Sequence, residues 1–521
     1  MQTDSSNRKL AVTIGKNAVS LVALNGAQVV TRLVTVPIII GHLGLGGYGI
    51  WSIIMTSGAY MRFGNAGLKS AFQKYVAEAT GDHDYDRASR LLSTGAAVMT
   101  VLSIIGLLPV MIFSQRLASA IGVPAQFLSA TAHSFTVLAV IMTVSNIGGA
   151  YESIITGGHR IDLVARFGIV FTVAESIAIV AAMYLGKGLL TMTIVMALSE
   201  VGRVSCCYII AHRVVPEVHV SQRYLTRSVL HELARFAGSY QVVNVLEVIY
   251  MGILPVAALK FFGADAAGVY AVSDRMVTVA LMAQESLLLP LLSGGTMIYA
   301  SGSVERMRLL IAKAFKVAFT FTIPLLAFVG TFGSIMLLAW TGESAPVFRV
   351  SIWIICTAGF FKSISRVALI LYRASGGAVM DLVREGVRIG AVLIAVAFGT
   401  HLGYYGILSG LAMAEFIGLI FMLATLTKLR GFHISLLIPD VIKLTLATAA
   451  VISVGLMVTY TPAPWAFGAR WEALVRLAEV SLACLLAAWP TLVVTNFLSA
   501  SERHMLWEVL LHRRKEALQS P

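Results

Sequence analysis

The sequence predicts an all-α polytopic membrane protein of about 14 transmembrane helices, built as two parallel six-helix repeats plus two C-terminal helices. Three observations predict it. About fourteen apolar segments are each long enough to cross a bilayer as a helix. The loops between them alternate between basic and nearly uncharged. Two halves of the chain match at an offset of 219 residues. Composition agrees: 58% of the 521 residues are hydrophobic, 12% are charged and the mean hydropathy is +0.84, which excludes a soluble globular protein. A net charge of +13 would suggest nucleic acid for a soluble chain. Here the excess sits on loops, where it sets topology and meets membrane lipids, and no nucleic-acid partner is expected.

The elements follow in order. Residues 1–16 are polar, carry Arg8, Lys9 and Lys16, and lack the small-residue cleavage site of a signal peptide, so segment 1 is expected to be a retained anchor. Segments 1 to 6 cover 17–40, 47–68, 91–113, 128–152, 163–185 and 189–211. The loop 213–236 places Leu225, Val229, Leu233 and Phe236 at helical spacing among Arg223, Arg227 and Arg235, which predicts a helix lying in the cytoplasmic interface. Segments 7 to 12 cover 237–259, 268–294, 314–339, 350–372, 386–402 and 405–427. Segments 13 and 14, at 441–460 and 473–497, fall outside the repeat. The tail 501–521 sets Met505, Leu506, Val509 and Leu510 against Arg513, Arg514 and Lys515. The expected organisation is an N-lobe at 1–212, an interfacial linker at 213–236, a C-lobe at 237–430, the last pair of segments within 431–500, and a cytoplasmic amphipathic tail at 501–521.

With the N-terminus cytoplasmic, the inside loops hold 27 Lys and Arg and the outside loops 5. That tally places Arg166, Lys316, Arg388 and Lys443 with their loops. An even number of segments then puts both termini in the cytoplasm. The repeat is carried by separated clusters. Gly157-Gly158 with Asp162-Leu163-Val164 returns as Gly376-Gly377 with Asp381-Leu382-Val383. Gly44 and Gly49 return as Gly263 and Gly268, Asn25 as Asn244, and Gln28 as Glu247. Six segments per unit make the repeats parallel, with a substrate path between them.

No phosphate-binding loop, HExxH or GxSxG occurs, and the eleven histidines do not cluster. Cys206, Cys207, Cys356 and Cys484 show no metal or disulfide spacing, and no cofactor is expected. What remains is polarity inside the membrane, where each charge needs a reason. Seven basic residues fall within the apolar segments. Asn25, Gln28, Arg32 and Thr35 share one face of segment 1. Tyr240, Asn244, Glu247 and Met251 share one face of segment 7. Arg62 lies in segment 2, and Arg275 beside Asp274 in segment 8. Lys362 and Arg366 lie one turn apart in segment 10, with Lys362 about 15–18 Å from either end. Arg203 and Arg476, nearer helix ends, read as snorkelling side chains. Glu175, Glu247, Asp274, Glu285 and Glu415 are candidate acidic partners. Pairing and ligand binding stand as even readings for Arg275. For Lys362 and Arg366 an anion site is favoured, because like charges one turn apart repel without one.

Arg32-Leu33-Val34-Thr35-Val36-Pro37, then Leu43-Gly44 with Tyr48-Gly49-Ile50-Trp51, then Phe63-Gly64-Asn65-Ala66-Gly67-Leu68, resemble the opening of bacterial polysaccharide-export flippases. These belong to the multidrug/oligosaccharidyl-lipid/polysaccharide exporter superfamily. The resemblance is strongest over the first 90 residues and implies the fold of the multidrug exporters and lipid II flippases. It also implies that the chain flips undecaprenyl-pyrophosphate-linked oligosaccharide across the bacterial inner membrane. In lipid II flippases, cavity arginines on helices 1, 2 and 8 serve the substrate, and Arg32, Arg62 and Arg275 occupy those helices here. The expected substrate-binding set is Arg32, Arg62, Arg275, Lys362, Arg366, Asn25 and Gln28. Glu247, Asn244 and Glu175 are the coupling candidates, for H+ or Na+. Polymerase and glycosyltransferase machinery are the implied protein partners. A lipid II flippase, a multidrug/cation antiporter and a non-transporting scaffold are the alternatives. The excess of cations over acids on segments 1, 2, 8 and 10 argues against the antiporter.

Overall fold

A computed structural model describes residues 2–61, 72, 76, 78, 82, 84–158, 160–374, 379–427, 433–461 and 468–497. Among the described residues the chain is helical, with no strand. The helices are α1 (Gln2–Met61), α2 (Tyr85–Ala120), α3 (Ala125–Gly157), α4 (Ile161–Tyr184), α5 (Leu189–Val214), α6 (Arg227–Phe262) and α7 (Ala264–Ala300). They continue as α8 (Val304–Thr341), α9 (Pro346–Ala374), α10 (Val379–Gly399), α11 (Tyr404–Leu426), α12 (Ile438–Thr459) and α13 (Ala469–Val494). Eleven described helical stretches are long and apolar enough to span a membrane, and one of them, Val19–Gly58, holds 40 residues. At about 1.5 Å per residue that stretch is twice a bilayer's thickness. It carries segments 1 and 2 in one run broken only at Gly44, whose φ of 70° and ψ of 173° are not helical.

Gly44 is where the repeat becomes visible in the backbone. Its counterpart Gly263 has φ 89° and ψ 177° and separates α6 from α7 in the same way. A residue with a Cβ resists that left-handed, extended conformation, so glycine is needed at both breaks. The counterparts Gly49 and Gly268 then meet. A Cβ on Gly49 would stand 2.5 Å from the Gly268 nitrogen and 2.7 Å from the Ala264 oxygen. Among the described residues, Gly122, Gly186, Gly302, Gly342, Gly403 and Gly468 also have positive φ. Gly44, Gly122, Gly186, Gly263, Gly342 and Gly403 fall on weakly charged connections, and Gly302 on a basic one.

The chain divides into two compact units, residues 1–272 with 381–410 and residues 273–380 with 411–521. The core of the first is built on Phe72, Leu91, Leu92, Met99, Ile154 and Ile155. Its α4 runs alongside α1: Leu24 packs on Gly168, His42 rings Tyr184 at 5.1 Å, and Lys16 pairs with Asp162 at 2.9 Å. The second unit packs Phe315, Phe319, Leu371 and Met422 into one cluster. There α12 and α13 pair with each other and lie against α8, through Phe332, Val480 and Cys484.

The linker differs from the expected separate interfacial helix. α5 ends at Val214, and residues 215–226 form an irregular strap with one turn of 3-10 helix at Gln222–Tyr224. Hydroxyls of α2 satisfy its backbone: Ser89 Oγ accepts from the His219 N–H, Ser93 Oγ from Ser221 and Thr94 Oγ1 from Thr226. The helical part begins at Arg227 and runs unbroken into α6. Periodicity alone joined Leu225 to that helix, whereas side-chain bonds to α2 hold it outside. The tail 501–521 lies outside the described residues.

Candidate functional site

The second unit brings together the charges of segments 8 and 10. Asp274 and Arg275 are half-buried neighbours on α7, and Lys362 and Arg366 are half-buried on α9. Asp274 accepts a side-chain bond from Thr278 and lies within electrostatic reach of Lys362 and Arg275. α7 and α9 approach closely because Gly359 has no side chain: a Cβ there would stand 2.7 Å from Val277 Cγ1. Lys362 is one turn along α9 from that contact and Asp274 one turn along α7 from it. Lys362 is 16 residues from Pro346 and 12 from Ala374, so it lies at hydrocarbon depth, about 24 and 18 Å from the helix ends. Glu415 of α11 is buried next to Phe416, whose ring packs on Phe361 of α9 at 5.1 Å. The cluster thus gathers cations and carboxylates at a depth where each charge needs a partner.

Beside these charges lies a buried polar triad. Gln284 Oε1 accepts from Thr322 Oγ1 at 2.8 Å and from Ser363 Oγ, joining α7, α8 and α9. Segments with an apolar average gave no sign of it, although each residue interrupts one.

The first unit holds the remaining candidates. Asn25 and Arg32 are exposed along α1, Gln28 is half-buried and Thr35 buried. The register set by Leu24 on Gly168 and His42 beside Tyr184 puts Arg32 level with the half-buried Glu175 of α4. Glu247 is half-buried on α6. Asn244 lies one turn before it on the same helix. Arg62 and the side chains of Asn244 and Glu285 lie outside the described residues.

Two charged clusters differ from their sequence reading. Arg203 does not simply snorkel. It bonds Glu200 at 2.8 and 2.5 Å and Glu152 of α3 at 3.2 Å, while Ser145 donates to Glu200. Arg388 is not a loop charge. It is 2% exposed, holds Glu385 through bonds of 2.9 and 2.7 Å, and stacks on the Tyr250 ring of α6 at 3.9 Å. Arg384 is also buried and bonds the same carboxylate at 2.5 Å. The spacing of Glu385 and Arg388, three residues apart on one helix face, was the available signal. Arg476 does act near a helix end, bonding Glu479 at 3.2 Å and the oxygens of Val458 and Thr461.

No protein-family model matches the chain, and no curated protein sequence matches it. Solved structures do share its fold. The lipid II flippase MurJ, in an inward closed conformation, superposes with a TM-score of 0.70 at 12% identity, over 90% of this chain and 99% of that one. An inward-facing multidrug-resistance MATE transporter of the MOP superfamily gives 0.63 at 18% identity, over 77% and 95%. A MOP-superfamily transporter from Pyrococcus furiosus, described as having a binding pocket of reversed polarity, gives 0.55 at 14% identity, over 81% and 95%. The fold is thus that of MATE transporters and the MurJ flippase.

Proposed function

We propose that this chain is a flippase that moves an undecaprenyl-pyrophosphate-linked oligosaccharide across the bacterial inner membrane, by alternating access, for surface polysaccharide synthesis. The observation that carries the reading is the cationic patch of Arg275, Lys362 and Arg366 at hydrocarbon depth, on helices held together at Gly359. A pyrophosphate crossing the membrane needs fixed cations to replace its water, and Arg presents a rigid fork to it. Asp274 holds Lys362 while the site is vacant of substrate and yields it to the incoming phosphate. Arg32, Asn25, Gln28 and Arg62 are assigned to the same substrate from the other half of the repeat. The fold shared with transporters supports movement across the membrane rather than chemistry.

The test uses purified protein in vesicles loaded with a fluorescent lipid-linked oligosaccharide. Lys362→Gln with Arg366→Gln is expected to slow flipping at least tenfold with normal insertion, and Lys362→Arg is expected to be milder. Full flipping by the double variant ends the anion-site reading. A second reading, a lipid II flippase, is favoured by the extent of the superposition with MurJ. The same vesicles loaded with lipid II distinguish the two.

Coupling is assigned to Glu247, which replaces the Gln28 of the first repeat by an ionisable group, with Asn244 and Glu175 as accessory groups and H+ or Na+ as the ion. Glu247→Gln keeps the shape and removes the charge. Transport by this variant is expected to lose its response to an imposed ion gradient while substrate binding persists. An unchanged gradient response relegates Glu247 to structure.

A further inference from the structure

A cavity of about 360 Å³ lies within the first unit, with no charged side chain among its lining residues. Its walls come from α1, α2, α3 and α6, with α2 contributing the stretch from Leu102 to Ile121 and α6 contributing Gly252, Pro255 and Val256. Three features say that it is built rather than left over. α2 bends here: Pro109 removes a helical bond, and Phe113 departs from helical angles at φ −105° and ψ 16°. α6 carries Pro255 on the opposite wall. Gly106 faces the space, since a Cβ added to it would meet nothing within 4 Å.

The chemistry of the walls selects the occupant. Only three lining side chains are polar, and each is already bonded. Thr56 Oγ1 donates to the Ser52 oxygen at 2.9 Å, Ser57 Oγ donates to the Ile54 oxygen at 2.7 Å, and Ser103 Oγ accepts from Asn146 Nδ2 at 2.7 Å. A buried water needs two to four polar partners, and an apolar cavity of about 150 Å³ stays dry and takes up hydrocarbon instead. This one is more than twice that size. Its depth agrees. Gly106 is about 21 Å from the α2 end at Ala120, and Gly252 about 15 Å from the α6 end at Phe262, so the space lies within the hydrocarbon layer. It belongs to the membrane half nearest the Gly122 and Gly263 turns. Along its α2 wall, Leu102 is 49% and Leu117 40% exposed, and Ile105 and Ile112 on the same helix are exposed as well.

The geometry points to this cavity as a binding site for one hydrocarbon chain of a lipid, taken sideways from the bilayer. A chain lodged there fills the bend of α2 and braces it against α6. The site does not depend on which polar headgroup the protein moves. The same hydrocarbon chemistry comes from a phospholipid acyl chain or from the isoprenyl chain of a lipid-linked sugar.

The test places the full-length protein in phosphatidylethanolamine/phosphatidylglycerol vesicles. These carry a trace of phosphatidylethanolamine with a diazirine in its acyl chain or, separately, a diazirine-bearing polyprenyl phosphate. After photolysis, labelled peptides are mapped. Label is expected on residues 102–121 and 252–256 above that on the exposed Leu485 and Leu486 of α13, which serve as the bilayer reference. Gly106→Phe fills the cavity and is expected to lower that label about tenfold, the equivalent of losing the burial of two methylenes. Gly106→Ala should retain it. If Gly106→Phe is not recovered folded, Val110→Phe fills the space from another point on the same wall and is read the same way. Label from the acyl probe alone names a resident phospholipid, and label from the polyprenyl probe alone names the substrate's tail. Label no denser than on α13, or unchanged when the cavity is filled, overturns the site.

Discussion

Lys362 and Arg388 show two ways for a cation to be held inside a helical membrane protein. Arg388 is satisfied inside the protein, by Glu385 and the face of Tyr250, whereas Lys362 lies within electrostatic reach of Asp274, which also faces Arg275. The two should respond differently to substitution. Arg388→Ala leaves Glu385 short of a partner in a buried site, and breaking such a pair costs about 3–5 kcal/mol. Thermal unfolding in detergent should show a large loss of stability for Arg388→Ala and a smaller one for Arg388→Lys, which keeps a cation beside Glu385. Lys362→Gln should leave the unfolding temperature nearly unchanged and lower flipping. The sequence located Lys362, Arg366 and Arg275 within the membrane because an apolar window exposes any charge inside it. It misplaced Arg388 because three charges near the start of α10 depress the local hydropathy and read as loop. The partner of Arg203 on α3 is 51 residues away, and no local pattern contains that pairing.

The helices themselves were legible because a bilayer demands about twenty apolar residues per crossing, a signal that survives irregularities of packing. Their joints were less so. Segments 1 and 2 share one helical run because Gly44 turns the chain without leaving a loop, and hydropathy cannot distinguish a one-residue break from a short connection. The strap before α6 was misread because hydroxyls of α2, more than a hundred residues earlier, bind it. At the Gly49–Gly268 approach the element scale yields a sharp expectation. Gly49→Val sets a branched side chain against the backbone of α7, so the two helices must separate. Melting in detergent should fall clearly for Gly49→Val and less for Gly49→Ala. Gly186→Val, at an exposed turn where nothing lies within 4 Å of a Cβ, should cost only the strain of its positive φ, about 1–3 kcal/mol.

For the molecule as a whole, the loop charges and the short turns bear on the same question, which side of the membrane each connection faces. Weakly charged connections turn at Gly122, Gly186, Gly263, Gly342 and Gly403, while the basic ones include the strap at 215–226 as well as a glycine turn at Gly302. Little then has to be translocated besides the helices. Reporter fusions at Gly186, Thr341 and Gly403 should be active outside the cytoplasm and fusions at Ser221 inside. A Ser221 fusion active outside would reverse the assignment. The meeting of Gly49 with Gly268 carries a further consequence. Contact between a residue and its own counterpart is how a two-fold homodimer touches itself. Within one chain the two glycines are coded separately, so either side of the contact can change without the other. Gln28 in one half, where the other half has Glu247, is a position at which the two halves differ.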